Sequence, residues 1–202
     1  MQRMMMYAAA LYGAKGLQSY TATGVCHEPE NVAEYPDKWT ALLGTGEKGE
    51  FFEQQKEIHR EFKMLGNTLM ALNSRAVYHS SDLMPFGKYG EIYKRCEDKI
   101  ADSKLLAGDR PDRTSVGELC DDFGNDYLFV LNRDFYKGLK TEIKLKEAMN
   151  VYEVSREDGT QKLVEKYARS IEVNLACGDA VLFRVQPVCD EPCTVEYVLK
   201  NQ

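Results

Sequence analysis

The sequence predicts an α+β protein: a helix–strand–helix unit over residues 1–80, a connector over 81–113 and an antiparallel β-sandwich over 114–202. Three observations predict it. An unbroken apolar run occupies residues 4–12. Apolar residues recur at spacings of seven, four and three between 51 and 72. Beyond residue 114 the hydrophobic period falls to two. With 202 residues, 44% hydrophobic and 29% charged, the composition is that of a globular chain able to bury one large or two small cores.

The first element follows Arg3. The run over 4–12 has the outline of a secretory leader, but it passes through Lys15-Gly16 into a strand-like stretch rather than a polar mature terminus. We expect a buried helix, apolar on all sides, ending at Gly13 or Gly16. Residues 16–24 read as a short strand with Leu17, Ser19 and Thr21 on one face and Gln18, Tyr20 and Ala22 on the other. Residues 25–48 are loop-like, with Pro29, Pro36, Gly44, Gly46 and the single tryptophan, Trp39. A long helix over 50–72 carries Phe51, Ile58, Phe62, Leu65, Leu69 and Leu72 on one face and Glu53, Lys56, Glu57, Arg60 and Lys63 on the other. Gly66 costs this helix about 1 kcal/mol against alanine, which implies a close neighbour there. Asn73-Ser74 ends it, and residues 75–79 form a short strand or extended exit.

Pro85, Gly87 and Gly90 break the connector, residues 91–99 suit a short helix, and the turn Asp109-Arg110-Pro111-Asp112 marks the domain boundary. Strand candidates then follow closely. Residues 115–121 come first. The five apolar residues from 127 to 131 suit a strand covered on both faces. Ile143 and Leu145 alternate with Glu142, Lys144 and Lys146. Segments 151–155 and 161–166 flank Asp158-Gly159, a hairpin pair because it accepts positive φ. Ile171, Val173 and Leu175 form another candidate, and Gly178-Asp179 turns the chain into Val181, Phe183 and Val185. Val195, Tyr197 and Leu199 close the series. Seven or eight short strands at this spacing predict a sandwich. The helical unit has one strand and no sheet of its own, so it should dock on the sandwich or pair with another chain.

Several function classes drop out. Lys and Arg number 26 against 32 Asp and Glu, a net charge of −6, which excludes a general nucleic-acid footprint. No apolar run reaches the roughly 20 residues of a membrane span. At 202 residues a complete (β/α)8 barrel, which takes roughly 250, is excluded as well. The cysteines (Cys26, Cys96, Cys120, Cys177, Cys189 and Cys193) are irregularly spaced and His27, His59 and His79 form no second ligand pair, so we expect reduced thiols, no metal, no cofactor and a cytoplasmic protein. The acidic pairs Glu28/Glu30 and Asp121/Asp122 read as solvated surface, His59 as solvent-facing and His79 as a polar cap or hydrogen-bonded packing residue rather than a catalyst. There is no phosphate loop, nucleophile elbow or His-Glu-x-x-His motif.

Five runs carry a resemblance. Residues 7–20 (YAAALYGAKGLQSY) resemble the last helix-to-strand step of the clan A glycoside hydrolase barrels, broadly the β-galactosidase-like families such as family 42, where a similar segment leads into barrel strand eight. Residues 65–69 (LGNTL) and 75–79 (RAVYH) resemble the final barrel helix and its exit. Residues 126–133 (DYLFVLNR) and 175–184 (LACGDAVLFR) resemble a strand and the closing hairpin of the C-terminal β-sandwich of such enzymes. The resemblance implies a barrel remnant followed by that sandwich: the C-terminal part of a carbohydrate-active enzyme. The general acid/base and nucleophile carboxylates of the family would lie upstream of Met1, so it implies no catalytic residue here and no hydrolysis by this chain alone. Barrel sites lie at the carboxyl ends of the strands, which would place Tyr20, Thr23, His27 and Trp39 at the sugar-binding mouth. Without the other barrel strands, the packed-core reading of Tyr20 and Trp39 stands ahead of the sugar-binding one. The implied partners are a carbohydrate, and a second copy or the missing barrel portion at the exposed edge of the remnant. The alternative is a non-catalytic carbohydrate-binding or scaffolding module presenting a row of tyrosines from among Tyr127, Tyr136, Tyr152, Tyr167 and Tyr197. A third reading is a small enzyme using its cysteines.

Overall fold

A computed structural model describes residues 2–17, 41–42, 47–80, 102–108 and 111–188. Helix α1 (Gln2–Leu11) stops where the first of the two expected glycines stands. Gly13 takes φ +85°, its N–H donates to Ala10 O at 2.8 Å, and the Ala14 N–H reaches Ala9 O at 3.1 Å, a Schellman cap. The helix is not buried all round as the apolar run implies. Tyr7, Ala10 and Leu11 are buried while Met5 is exposed, because α1 lies on the surface of a sheet that covers one side of it. Gly16 and Leu17 are irregular, and the rest of the strand expected there lies outside the described residues.

Helix α2 (Phe52–Ala71) buries Ile58, Leu65 and Leu69 on the predicted face and exposes His59 and the predicted charges. It also buries Glu61. Gly66 does not mark a close approach: a Cβ there would meet nothing within 4 Å, and the missing side chain instead leaves open a groove of about 290 Å³ beside Met6, Phe62 and Met70. The carbonyls ending α2 are capped from outside by Lys15, whose Nζ donates to Leu69 O and Met70 O, both at 3.1 Å, and to Leu72 O.

Among the described residues the chain then enters a six-stranded antiparallel sheet: β1 (Asn73–His79), β2 (Thr114–Cys120), β3 (Asp126–Asn132), β4 (Leu139–Val154), β5 (Gln161–Leu175) and β6 (Ala180–Pro187), in the order β1-β2-β3-β6-β4-β5. All seven residues of β3 are buried, as its apolar run predicts. Alternation sorts its side chains between two cores. Tyr127, Phe129 and Leu131 join Leu119, Leu182 and the helix residues Tyr7, Leu11, Leu65 and Leu69. Leu128 and Val130 join Val116, Phe183 and Val185 on the opposite face.

The pairs of short strands predicted over 141–155 and 161–175 are single long strands, β4 and β5, joined by the Asp158-Gly159 turn with Gly159 at φ +75°. Register shifts between Lys144 and Tyr152 interrupt the pairing, and Tyr167 at φ +56° marks the same region of β5. The hairpin bends there. A straight 16-residue strand would hold Leu139 roughly 50 Å from Val154. Yet β3 ends beside the start of β6, and Asn132 Nδ2 at that end donates to Ala176 O at 2.8 Å, next to the Leu139↔Leu175 pair. The far half of the hairpin therefore folds over the face of β2, β3 and β6, and Leu139, Ile143, Leu145, Ile171 and Val173 close the second core. Leu105 and Leu106 join it through a bridge from Leu106 to Leu145. The strand expected at 195–199 lies outside the described residues.

Three glycines set how closely α1 sits on this sheet. A Cβ on Gly117 of β2 would stand 3.0 Å from both Leu11 Cγ and Leu11 O. One on Gly178, in the β5–β6 turn at φ +62°, would meet Met4 Cβ at 3.1 Å, and one on Gly13 would meet Ser74 Cβ at 3.1 Å.

Candidate functional site

Where α1, α2 and the two hairpin turns converge, four charged side chains form one network. Arg3 and Tyr7, one turn apart on the buried side of α1, meet Glu61 of α2, and Arg156 in the β4–β5 turn meets Asp179 in the β5–β6 turn. The Arg3 guanidinium forks onto Glu61, Nη1 to Oε2 at 2.7 Å and Nη2 to Oε1 at 2.9 Å. The same Nη1 donates to Asp179 Oδ1 at 3.0 Å, which also accepts from Arg156 Nη1 at 2.5 Å. Tyr7 OH donates to Glu61 Oε2 at 2.5 Å. Glu61 is 6% and Asp179 7% exposed, so both carboxylates are almost wholly removed from water and answered by charge-assisted hydrogen bonds.

The environment fixes the protonation of the donors. Burial, and then the hydrogen bond to Glu61, push the Tyr7 phenol far above its ordinary value, so it is a neutral donor. Burial is the largest influence on Arg156 and works against its charge, but the hydrogen bond and charge of Asp179, with Tyr7, together outweigh it and raise the guanidinium above its ordinary value. Arg3 is raised in the same way: burial opposes its charge most, and Glu61, Asp179 and Tyr7 together overcome it.

This network floors a cleft of about 460 Å³ whose walls also include Gln54 of α2, Phe135 of the β3–β4 loop, and Ala176 and Cys177. Glu61 and Asp179 face each other across one guanidinium, but they do not form a free acid–nucleophile pair: both already accept from arginine, and Glu61 from Tyr7 as well. Cys120 and Cys177 are free thiols, Cys177 exposed. Among the described residues no group of three His, Cys, Asp or Glu side chains is placed to hold a metal ion.

A second pair of buried carboxylates ties the segment before β2 to the sheet. Glu118 accepts from Ser103 Oγ and from the backbone N–H groups of Leu105 at 3.1 Å and Lys104 at 3.3 Å. Asp126 pairs with Lys104 at 2.7 Å and with Arg75. His79 sits between two hydroxyls, Nε2 to Tyr12 OH at 2.5 Å and Nδ1 to Ser115 Oγ at 2.6 Å, the hydrogen-bonded packing role expected of it. Asp121 is occupied in the β2–β3 turn, accepting from the N–H groups of Phe123 and Asn125, and Asp122 accepts from Asn73 Nδ2 at 3.1 Å.

Tyr20, Thr23, His27 and Trp39, the residues assigned to a sugar-binding mouth, lie outside the described residues, as do Glu28 and Glu30. Of the five tyrosines considered for a binding row, Tyr127 is buried and Tyr152 half-buried; Tyr136 in the β3–β4 loop and Tyr167 on β5 are exposed, and Tyr197 lies outside the described residues.

The sequence reading missed Glu61 and Arg3, although periodicity holds the signal. Glu61 stands three residues after Ile58 and four before Leu65, on the apolar face of α2. Arg3 stands four before Tyr7 on the buried face of α1. A lone acid on one apolar stripe and a lone base on another are the mark of a buried pair.

No family model matches the chain, and no curated protein matches it. Solved structures do. A family 27 β-L-arabinopyranosidase of Geobacillus stearothermophilus matches at 14% identity and a TM-score of 0.30 over 41% of this chain and 19% of its own. An Anoxybacillus α-amylase matches at 12% identity and 0.30, over 52% and 22%. A Bacteroides fragilis protein named for α-galactosidase/melibiase matches at 16% identity and 0.33, over 71% and 30%. The chain thus spans less than a third of the length of each. No helix among the described residues is long and apolar enough to cross a membrane.

Proposed function

We propose that this chain is the C-terminal portion of a glycoside-hydrolase-like, carbohydrate-active protein, in which a C-terminal β-sandwich buttresses the last helices of a barrel and which does not hydrolyse glycosides by itself. The observation that carries the proposal is the interlock of its two parts. The runs that resemble the end of the barrel fall in the second half of α1, the last turns of α2 and in β1. The runs that resemble the sandwich supply β3 and the β5–β6 turn. Arg3 and Glu61, on the same two helices though outside the quoted runs, meet Asp179 of the hairpin run in one buried network. Such an interlock suits a buttress, whose task is to fix helices rather than to do chemistry.

Retaining hydrolysis needs two carboxyl groups about 5 Å apart, one of them free to give up a proton. In the cleft both carboxylates are committed to arginines. Incubation of the pure chain with a panel of aryl glycosides should release no phenol. Release that vanishes in Glu61→Gln or Asp179→Asn would overturn the proposal. Free Cys120 and Cys177 suit a reducing, cytoplasmic setting, which is part of the same proposal.

The alternative, a non-catalytic carbohydrate-binding module, draws support from the exposed aromatics Phe135 and Tyr136, whose ring centroids stand 6.5 Å apart edge to face. Saccharide binding without turnover by the whole chain is compatible with both readings. Restored hydrolysis on mixing with a separately produced barrel would favour the first.

A further inference from the structure

We propose that the cleft between the helices and the hairpin turns binds a short neutral saccharide, of one or two rings; the choice among neutral polyols rests on the carbohydrate reading above. The cleft holds about 460 Å³, within the range of small-molecule sites. Its charges balance, since Arg3 and Arg156 stand against Glu61 and Asp179, so neither an anion nor a cation gains a net partner. A polyol uses what stays free: its hydroxyls accept from guanidinium N–H groups of Arg3 and Arg156, whose side chains keep 25% and 31% exposure, and can pair with the amide of Gln54 on the cleft wall. The polar groups are fixed before any ligand arrives, because each charged side chain is held by another, and little ordering remains to oppose binding. Phe135, 43% exposed on the wall of the cleft, offers a flat face for the C–H side of a sugar ring, and its edge-to-face contact with Tyr136 steadies it. The small side chains of Ala176 and Cys177 also line the cleft.

Cys177 supplies the readout. The full chain is alkylated with iodoacetamide in the presence of methyl hexosides, methyl pentosides and their disaccharides, up to about 50 mM, a range that detects millimolar binding. Modification of Cys177 and Cys120 is followed separately by peptide mass spectrometry. At least one sugar of the panel should slow Cys177 several-fold and leave Cys120 unchanged. Phe135→Ala should remove most of that protection with only a small fall in Tm, since the ring is partly covered. Gln54→Trp, at an exposed position lining the cleft, should remove it independently should Phe135→Ala fold poorly. No protection by any sugar overturns the proposal. So does protection that survives both variants, which would place the sugar elsewhere while leaving the carbohydrate-active reading intact. Hydrolysis by the chain, tested above, is the separate result that would overturn that reading.

Discussion

Replacing Glu61 by glutamine leaves the shape of the side chain and removes its charge from beneath Arg3, Tyr7 and Arg156. The carboxylate is 6% exposed and accepts three hydrogen bonds, from Arg3 Nη1 and Nη2 and from Tyr7 OH. Breaking a fully buried ion pair by removing one partner costs about 3–5 kcal/mol. Arg3 retains 25% of its side-chain exposure and a second carboxylate in Asp179, and the glutamine oxygen still accepts from Tyr7, so we expect about 2–3 kcal/mol. For a chain of this length that is a fall in Tm of about 5–10 °C. Thermal unfolding followed by circular dichroism reads it directly. A double-mutant cycle with Arg3→Met isolates the pair and should give a coupling of about 1–2 kcal/mol. A loss below about 0.5 kcal/mol, the size of an exposed pair, with no coupling to Arg3, would refute the claim that this network is buried and holds the helices to the sheet.

Three further outcomes follow from the packing. Gly117→Val should destabilise by about 2 kcal/mol or more, since even a Cβ there would press on Leu11 Cγ and O at 3.0 Å, and calorimetry should show it together with weaker protection of α1 amides. Gly159→Ala should cost at least as much: its Cβ would fall 2.5 Å from Met64 O and the residue holds φ +75°, so a change of under about 0.5 kcal/mol in denaturant melts would contradict the contact between hairpin and α2. The Tyr7 phenol is raised above 10.0 in the folded chain by burial and then by Glu61, so its contribution is complete below pH 10. It is lost as pH rises above that value, because the unfolded chain gives up the proton first, at up to about 1.4 kcal/mol per pH unit. Tyr7→Phe should lose this dependence, and equal alkaline slopes in the two proteins would refute it.

Much of the fold was legible because the sequence states each local period cleanly. The apolar stripe of α2, the buried run of β3 and the Asp158-Gly159 turn all stand where they were expected. The division of β4 and β5 was not legible. The alternation of Ile143 and Leu145 resets across the bulges between Lys144 and Tyr152, and a reset of period reads in sequence as the end of one strand and the start of the next. Joining of the helical unit to the sheet was one of two outcomes the sequence allowed. What decides it is long-range and invisible to periodicity: the β1–β2 pairing across the connector and the bare backbone of Gly117 under Leu11. The cleft was missed for a related reason. Arg156 and Asp179 lie in turns, where charged residues are ordinary, and only the fold brings them to Arg3 and Glu61.

The account rests on helices and sheet being one cooperative body, joined through the core of Tyr7, Leu11, Leu65, Phe129 and Leu182. Hydrogen exchange under native conditions, resolved by peptide, tests this most directly. The amides of α1, α2 and β3 should open together, with the same free energy and the same dependence on denaturant. Exchange of α1 and α2 several kcal/mol before β3 would contradict it and leave the helices as a loosely attached appendage.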